Sequence, residues 1–250
     1  MGENVSIGRA PDFAVDGVQL YCADAAEIVP TLDEVDLLAT DPPYGVEYQS
    51  NFRTEKRDVM QGDGRDENDR ARVLDVLRAS VLRLRRGRHA YIFGPSEPMR
   101  EIERLTAHTT LIWDKGIIGM GNLSLPRGPS HEPINFAITQ LSKANREDGR
   151  GQLSARLRQG SVIRCARPNS LATRRHPSEK PVEVMRQIIE SSSCLGETVL
   201  DPFMGSGSTV VASLLLGRRA VGIEKDPVHF ANARARVEAT IALLKCAAGL

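Results

Sequence analysis

Short apolar runs, each closed by a turn signal, recur along the chain: VQLYC (18–22), VDLLAT (35–40), HAYIFG (89–94), TTLIW (109–113), INFAIT (134–139), TVL (198–200) and RAVGI (219–223). Between several of them the apolar residues repeat at helical period, notably over 69–84, 97–106, 181–194, 208–217 and 227–244. A strand buried on both faces reads as a continuous apolar run, and intervening helices supply the cover. The pattern therefore predicts an α/β fold with a mostly parallel sheet and helices on both faces. Ligands of such sheets bind beyond the carboxyl ends of the strands. Two regions break the rhythm. Residues 46–70 are polar and glycine-containing, which predicts a mobile loop, and residues 116–175 hold one clear strand in a mixture of Gly, Pro, Ser and Arg, the expected place for substrate recognition.

The run 35–40 stops abruptly against Asp41, Pro42, Pro43 and Tyr44. Paired prolines lack the N–H a strand needs, so the chain must turn there and present Asp41 and Tyr44 at a strand end. For an isolated Asp-Pro pair, a rigid turn with a capping carboxylate is the ordinary reading. A second acidic corner lies in TVLDPFMGSGSTVVASLLLGRRAVGIEKD (198–226), which reads strand, glycine loop, helix, strand. Asp201 ends its first strand and Glu224 its second. Gly205 and Gly207 let the backbone approach a ligand, and an acid about 20 residues beyond the glycines suits ribose hydroxyls. An adenosine-containing cofactor is expected. Asp201 would repel a pyrophosphate, and the loop lacks both the third glycine of G-x-G-x-x-G and the lysine of a P-loop. A ligand with an ammonium and a ribose diol but no phosphate fits, as S-adenosylmethionine does.

Length and composition narrow the picture further. At 250 residues and 41% hydrophobic, one core and a single domain over 1–250 are expected, with the two irregular segments as insertions. No run approaches the roughly 18 apolar residues that cross a bilayer, and the first residues lack the apolar stretch of a secretory signal; a soluble cytoplasmic protein without membrane contact is expected. Cys22, Cys165, Cys194 and Cys246 are scattered, as are the five histidines, so no metal is expected. Net charge is +1, but its distribution is uneven. Basic residues crowd into RLRRGRH (83–89) and recur at Arg156, Arg158, Arg164, Arg167, Arg174 and Arg175, while acids gather in 55–69. Arginine suits phosphates and base edges, although a charge run is by default a solvated face.

Taken together, these stretches resemble the amino-methyltransferases of DNA, which methylate an exocyclic base nitrogen using S-adenosylmethionine. DPPY (41–44) resembles their catalytic motif, DPFMGSGST (201–209) their cofactor loop, and HPSEKPVEVMRQII (176–189) the segment that forms the methionine end of the pocket. The order, catalytic motif first, is similar to the circularly permuted β class. The resemblance implies a Rossmann-like class I methyltransferase sheet, S-adenosylmethionine without a metal, double-stranded DNA as partner, and dimerisation as a common family habit. It implies Asp41, Pro42, Pro43 and Tyr44 as the catalytic turn. Around the cofactor it implies Asp201, Pro202, Phe203, Gly205, Ser206, Gly207 and Glu224, with Asp24 at the adenine and His176, Ser178, Lys180 and Pro181 at the methionine end. Plainer readings stand beside some of these: Asp24 as a helix N-cap, Phe203 as core, Lys180 as a surface lysine. Lys180 opens a helix, where a cation is ill placed against the dipole, which points to a ligand carboxylate.

The chemistry accounts for the motif. An exocyclic amine is a poor nucleophile because its lone pair is delocalised into the ring. Acceptors held at its two N–H groups, the Asp41 carboxylate and the Pro42 carbonyl, favour a pyramidal nitrogen and absorb developing positive charge. Tyr44 offers a face on which an extruded base stacks. The turn holds no cysteine, which disfavours methylation of cytosine carbon 5. Cytosine-N4 members of the family more often carry Ser in place of Asp41, so adenine N6 is the expected target and cytosine N4 the alternative. The loop at 46–70 is expected to close over the flipped base and the arginines of 156–175 to bind phosphates. Three other readings stay open: a methyltransferase of RNA or a protein amide, a nucleic-acid-binding regulator with a vestigial site, and a nicotinamide dehydrogenase, the last disfavoured by Asp201 and the incomplete glycine pattern.

Overall fold

Every residue of Val35–Thr40 is buried, because among the described residues this segment is the fifth of nine strands in one sheet. The computed structural model describes residues 9–43, 67–96, 98–119, 124, 126–140, 159–166 and 179–249. The strands are β1 (Phe13–Val15), β2 (Val18–Cys22), β3 (Val35–Thr40), β4 (Leu84–Phe93), β5 (Leu105–Asp114), β6 (His131–Thr139), β7 (Val162–Arg164), β8 (Thr198–Asp201) and β9 (Arg219–Glu224). Their order across the sheet is β1-β2-β9-β8-β3-β4-β6-β5-β7. The five central strands β2, β9, β8, β3 and β4 are parallel; β1 pairs antiparallel at one side and β6 lies antiparallel between β4 and β5 on the other.

Helices α1 (Ala25–Ile28), α2 (Glu67–Arg83), α3 (Val182–Ser192), α4 (Ser208–Leu215) and α5 (Pro227–Ala248) cover both faces. The alternation of side chains along β3 divides them. Leu38 joins Leu200, Ile92 and Ile223 against Ile28 of α1 and Val76, Leu77 and Val81 of α2. Leu37 and Ala39 point the other way, with Tyr91, Phe93 and Val199, against Val184, Met185 and Ile188 of α3 and Ala212 of α4. On that same side α5 packs on α4 through Phe230, Val237 and Ile241. The connection from β3 runs to β4 on its one flank, and that from β8 runs by α4 to β9 on the opposite flank. Crossovers of one hand that travel in opposite directions must use opposite faces, so the gap between β3 and β8 is the switch point of the sheet.

The expected α/β sheet and helices are present, with local differences. The helix expected at 97–106 is a 3-10 turn at Pro98–Glu101 followed directly by β5. Met99, Ile102 and Leu105 are buried three residues apart and linked by N–H to carbonyl bonds of 3.1–3.3 Å, which imitates helical period in the sequence. Residues 67–70, expected within the loop, form the first turn of α2; residues 46–66 lie outside the described residues. The weakly patterned strands β1 and β7 were not expected.

Two arginines of the basic stretch 83–89, Arg85 and Arg88, are engaged within the protein. The stretch begins β4 at the amino end of the sheet, away from Asp41. Asp36, 1% exposed within β3, accepts from Arg85 at 2.8 Å and from the Thr198 N–H at 2.9 Å, and pairs with Arg88 at 3.4 Å. Arg88 in turn holds both oxygens of Glu197, at 2.5 and 3.1 Å. A buried carboxylate survives only with such partners, and here they tie β3, β4 and β8 together. Replacing Asp36 by Ala leaves a guanidinium and an amide without their acceptor, and a loss of about 3 kcal/mol is expected in urea unfolding, the range for breaking a buried pair. A loss below about 1 kcal/mol would show that the clamp adds nothing net.

Candidate active site

The two acidic corners meet. β3 and β8 are parallel neighbours with Leu38 opposite Leu200, so their carboxyl ends lie side by side. The hydroxyl of Thr40, the residue before Asp41, donates to Asp201 Oδ1 at 2.7 Å across 161 positions of sequence. Pro42 is buried and Pro43 half-buried, so the turn is held by packing as well as by its own fixed φ angles. Tyr44 lies outside the described residues.

Asp201 is 4% exposed. Burial pushes its carboxyl up to about 6, with the charge of Asp41 adding to the rise, while hydrogen bonds from Thr209, Thr40 and the Phe203 N–H oppose it. Beyond it the chain makes the expected tight loop. Pro202 is buried, and Phe203 packs partly buried against the core cluster of α1 and α2. Gly205 has φ +50°, and among the described residues no atom lies within 4 Å of where a Cβ would stand. Gly207, at φ +76°, is the N-cap of α4; a Cβ there would meet that of Ala233 at 3.3 Å. The close helix–strand contact falls to Gly222 of β9, where a Cβ would stand 2.5 Å from Met204 Sδ and 3.0 Å from Val210.

Glu224 stands at the end of β9 and binds the loop from outside. Its Oε2 accepts from the Gly205 N–H at 3.0 Å and its Oε1 from the Asp226 N–H at 2.8 Å. Burial raises its pKa in spite of those two amides. Just beyond the adjoining strand β2, Asp24 follows closely after Cys22, the partner of Glu224 in register. Asp24 caps α1, accepting from the Ala26 N–H at 3.0 Å, and pairs with Lys225 at 3.1 Å. Burial works against its charge, but the Ala26 amide and Lys225 hold its carboxyl below the ordinary value.

The segment before α3 joins both corners. The Lys180 carbonyl accepts from the Ser208 hydroxyl at 2.7 Å, which fastens Lys180 and the buried Pro181 to the glycine loop. Arg236 of α5 reaches the same place: one guanidinium nitrogen donates to the Ser206 carbonyl and the Ser208 hydroxyl, both at 3.1 Å, and pairs with Glu179 at 2.9 Å. The Lys180 side chain runs to Asp41. Its Nζ lies 2.5 Å from Asp41 Oδ2 and 3.2 Å from Glu132 Oε2. Glu132 Oε1 is held by Lys115 at 2.7 Å. His176 and Ser178 lie outside the described residues, as do Arg156, Arg158, Arg167, Arg174 and Arg175; Arg164 ends β7, exposed.

Three contributors, Thr40, Lys115 and Arg236, were not singled out in the sequence, and a fourth, Glu132, reads there only as a structural strand end with no chemistry assigned to it. Glu132 begins β6, and a strand's beginning ordinarily lies far from the carboxyl edge. Because β6 is antiparallel to β4, its start sits at that edge. Asp24, Glu224, Asp201 and Asp41 stand at or just beyond the ends of β2, β9, β8 and β3; about the far strands, Arg127, His131 and Arg164 are exposed beside Asp114 and Glu132.

Known proteins are similar to this chain in sequence and fold. Residues 35–234 match the N6/N4 methyltransferase family, described as DNA methylase. YubD of Escherichia coli (strain K12), named as a methylase, is 32% identical over 206 residues, 76% of each chain. The type II methyltransferase M2.DpnII of Streptococcus pneumoniae is 43% identical over 65 residues, 26% of this chain and 24% of that one. Among solved structures, the M1.HpyAVI complex with S-adenosylmethionine superposes with a TM-score of 0.66 at 22% identity, covering 88% of this chain and 98% of that one. The cytosine-N4-specific PvuII methyltransferase gives 0.65 at 11% identity, over 92% and 89%. With the family matched over residues 35–234 and a relative 32% identical over 76% of each chain, the protein belongs to the N6/N4 DNA methylases.

Proposed function

We propose that this chain transfers a methyl group from S-adenosylmethionine to the exocyclic N6 amine of adenine in a flipped nucleotide of duplex DNA. The observation that carries this reading is the Thr40–Asp201 hydrogen bond, which seats an amine-binding turn beside a cofactor loop. The loop residues fit the cofactor. Gly205 opens on space a side chain would fill, and Asp201 and Glu224 offer carboxylates to an ammonium and a ribose diol, where a phosphate would be repelled. Asp201, Gly205, Ser206, Gly207 and Glu224 would hold it, with Phe203 and Asp24 at the adenine side and Pro181 beside the loop.

When bound, S-adenosylmethionine supplies a methyl carbon whose bond to sulfur breaks, the electron pair staying on sulfur, as the bond to the amine nitrogen forms. Asp41 and the Pro42 carbonyl do their part by position: two acceptors fixed before the amine arrives, one charged, favour the geometry in which its lone pair is available. The nitrogen gains positive charge and becomes acidic, and its surplus proton leaves through Asp41 to water. Adenine is favoured over cytosine by an Asp at position 41, where cytosine-N4 members of the family more often carry Ser. DNA is favoured by the exposed basic groups Arg127, His131 and Arg164 on the target side of the edge.

Incubation with duplex DNA and methyl-labelled cofactor is expected to yield N6-methyldeoxyadenosine on digestion to nucleosides. N4-methyldeoxycytidine alone would move the target to cytosine, and label only in RNA or protein would remove DNA as substrate. In the same assay Asp41→Ala is expected to lower kcat by roughly 10³-fold or more, with cofactor affinity within about threefold of wild type; substantial turnover by the variant would take Asp41 out of the chemistry.

Asp201 generates a further expectation. Its folded-state pKa of about 6 stands above the ordinary 3.8, so the folded protein binds this proton more tightly than the unfolded chain. That contribution favours folding fully below about pH 4 and is lost as pH rises through 6, a difference on the order of 3 kcal/mol at neutrality. Asp201→Asn should therefore raise the unliganded Tm at pH 7.5, lose that advantage near pH 4, and weaken S-adenosylmethionine binding at least about tenfold by calorimetry. Equal Tm values at both pH values would contradict this role of the charge.

A further inference from the structure

The Lys180 side chain is 10% exposed, and a buried ammonium is tolerated only where acids meet it. Asp41 and Glu132 do so, and the ring of Phe93 lies 5.2 Å from Nζ. Burial draws the Lys180 pKa down, but Asp41 and Glu132 more than reverse this, so the group stays charged at neutral pH. Its backbone is anchored separately, by Ser208 on its carbonyl and by the Pro181 that follows, while the side chain reaches Asp41 beyond β3. Glu132 is itself fastened. Lys115 grips its second oxygen at 2.7 Å and lies 5.5 Å from the Trp113 ring, and Trp113 Nε1 donates to the Cys165 carbonyl at 2.8 Å.

We propose that Lys180 is a positioning residue for the Asp41 carboxylate, with Glu132 and Lys115 as its supports, and that the Lys180 ammonium does not serve the cofactor's carboxylate. The assignment rests on the reading of Asp41 as the amine's acceptor. Lys180 fixes Oδ2 and with it the plane of the carboxylate, sparing Asp41 the rotamer freedom it would otherwise lose when substrate binds. By itself a cation at this place would oppose the positive charge that develops on the amine. Glu132 offsets that cation, and Lys115 compensates Glu132, so the row Asp41, Lys180, Glu132, Lys115 alternates in sign and sums to zero. The device orders the carboxylate without adding net charge beside the reacting nitrogen.

The test compares Lys180→Met, Lys180→Arg, Glu132→Gln and their Met/Gln double variant in steady-state methylation and in calorimetric titration with S-adenosylhomocysteine. Lys180→Met is expected to lower kcat about 100-fold and Glu132→Gln about tenfold, with cofactor affinity and KM within about threefold. Lys180→Arg should recover most of kcat. The double variant should be no slower than Lys180→Met alone, because both changes act through one contact. A tenfold or greater loss of cofactor affinity with kcat preserved would overturn the proposal in favour of a cofactor role, and losses that multiply in the double variant would overturn the coupling. If Lys180→Met fails to fold, Glu132→Gln and Lys180→Arg carry the same split: kcat reduced in the first and near normal in the second supports positioning, and normal kcat in Glu132→Gln refutes it. Asp41→Ala separates the two levels. Activity retained there removes the underlying reading, whereas activity lost there but normal in Lys180→Met removes only this proposal.

Discussion

The Thr40 hydroxyl on Asp201 is the contact around which the rest is arranged. It joins residues 161 positions apart, and it exists because β3 and β8 are parallel neighbours whose onward connections leave in opposite directions. A sheet has such a gap only where its winding reverses, and the gap is lined by whatever residues end the two strands. Here both strands end in an Asp-Pro pair. The prolines forbid continuation of either strand, so each acid is delivered to the opening rather than into the pairing.

Electrostatics divide the molecule between its two ends. At the amino end of the sheet, acids and arginines are closed upon one another: Asp36, Arg85, Arg88 and Glu197 satisfy their charges within the protein and bind three strands together. At the carboxyl end Asp201 is buried among hydroxyls and an amide, with no cation among its partners in the described residues, and its raised pKa records the cost. Groups held in that condition are characteristic of sites whose ligand brings the missing charge. Stability is sacrificed at one end of the strands and supported at the other.

Lys180 connects the two halves of the site. Its backbone is fastened to the glycine loop by Ser208, its side chain to Asp41 and Glu132. Arg236 secures the same junction from α5. The helix α5, which follows the cofactor stretch and is remote in sequence from the catalytic turn, thus has a part in holding the two together.

Local patterning was enough to identify most of the architecture and the principal corners. Unbroken apolar runs marked the central strands, the Asp-Pro pairs marked where two of them stop, and the glycines with Asp201 and Glu224 marked a loop for an adenosine carrying a positive charge. These signals are local: they arise from side-chain burial, fixed φ and steric allowance, which neighbouring residues decide among themselves. The misreading has a local cause too. Met99, Ile102 and Leu105 imitate a helix because a 3-10 turn also buries every third residue, whereas the acids that meet Arg85 and Arg88 of RLRRGRH come from β3 and the turn before β8 and could not be read locally. What tertiary structure alone decided is which strand ends share an edge. That Asp41 and Asp201 adjoin, that the start of β6 brings Glu132 to Lys180, and that Lys180 points at Asp41 all depend on strand order and direction, which are set by packing among segments far apart in the sequence.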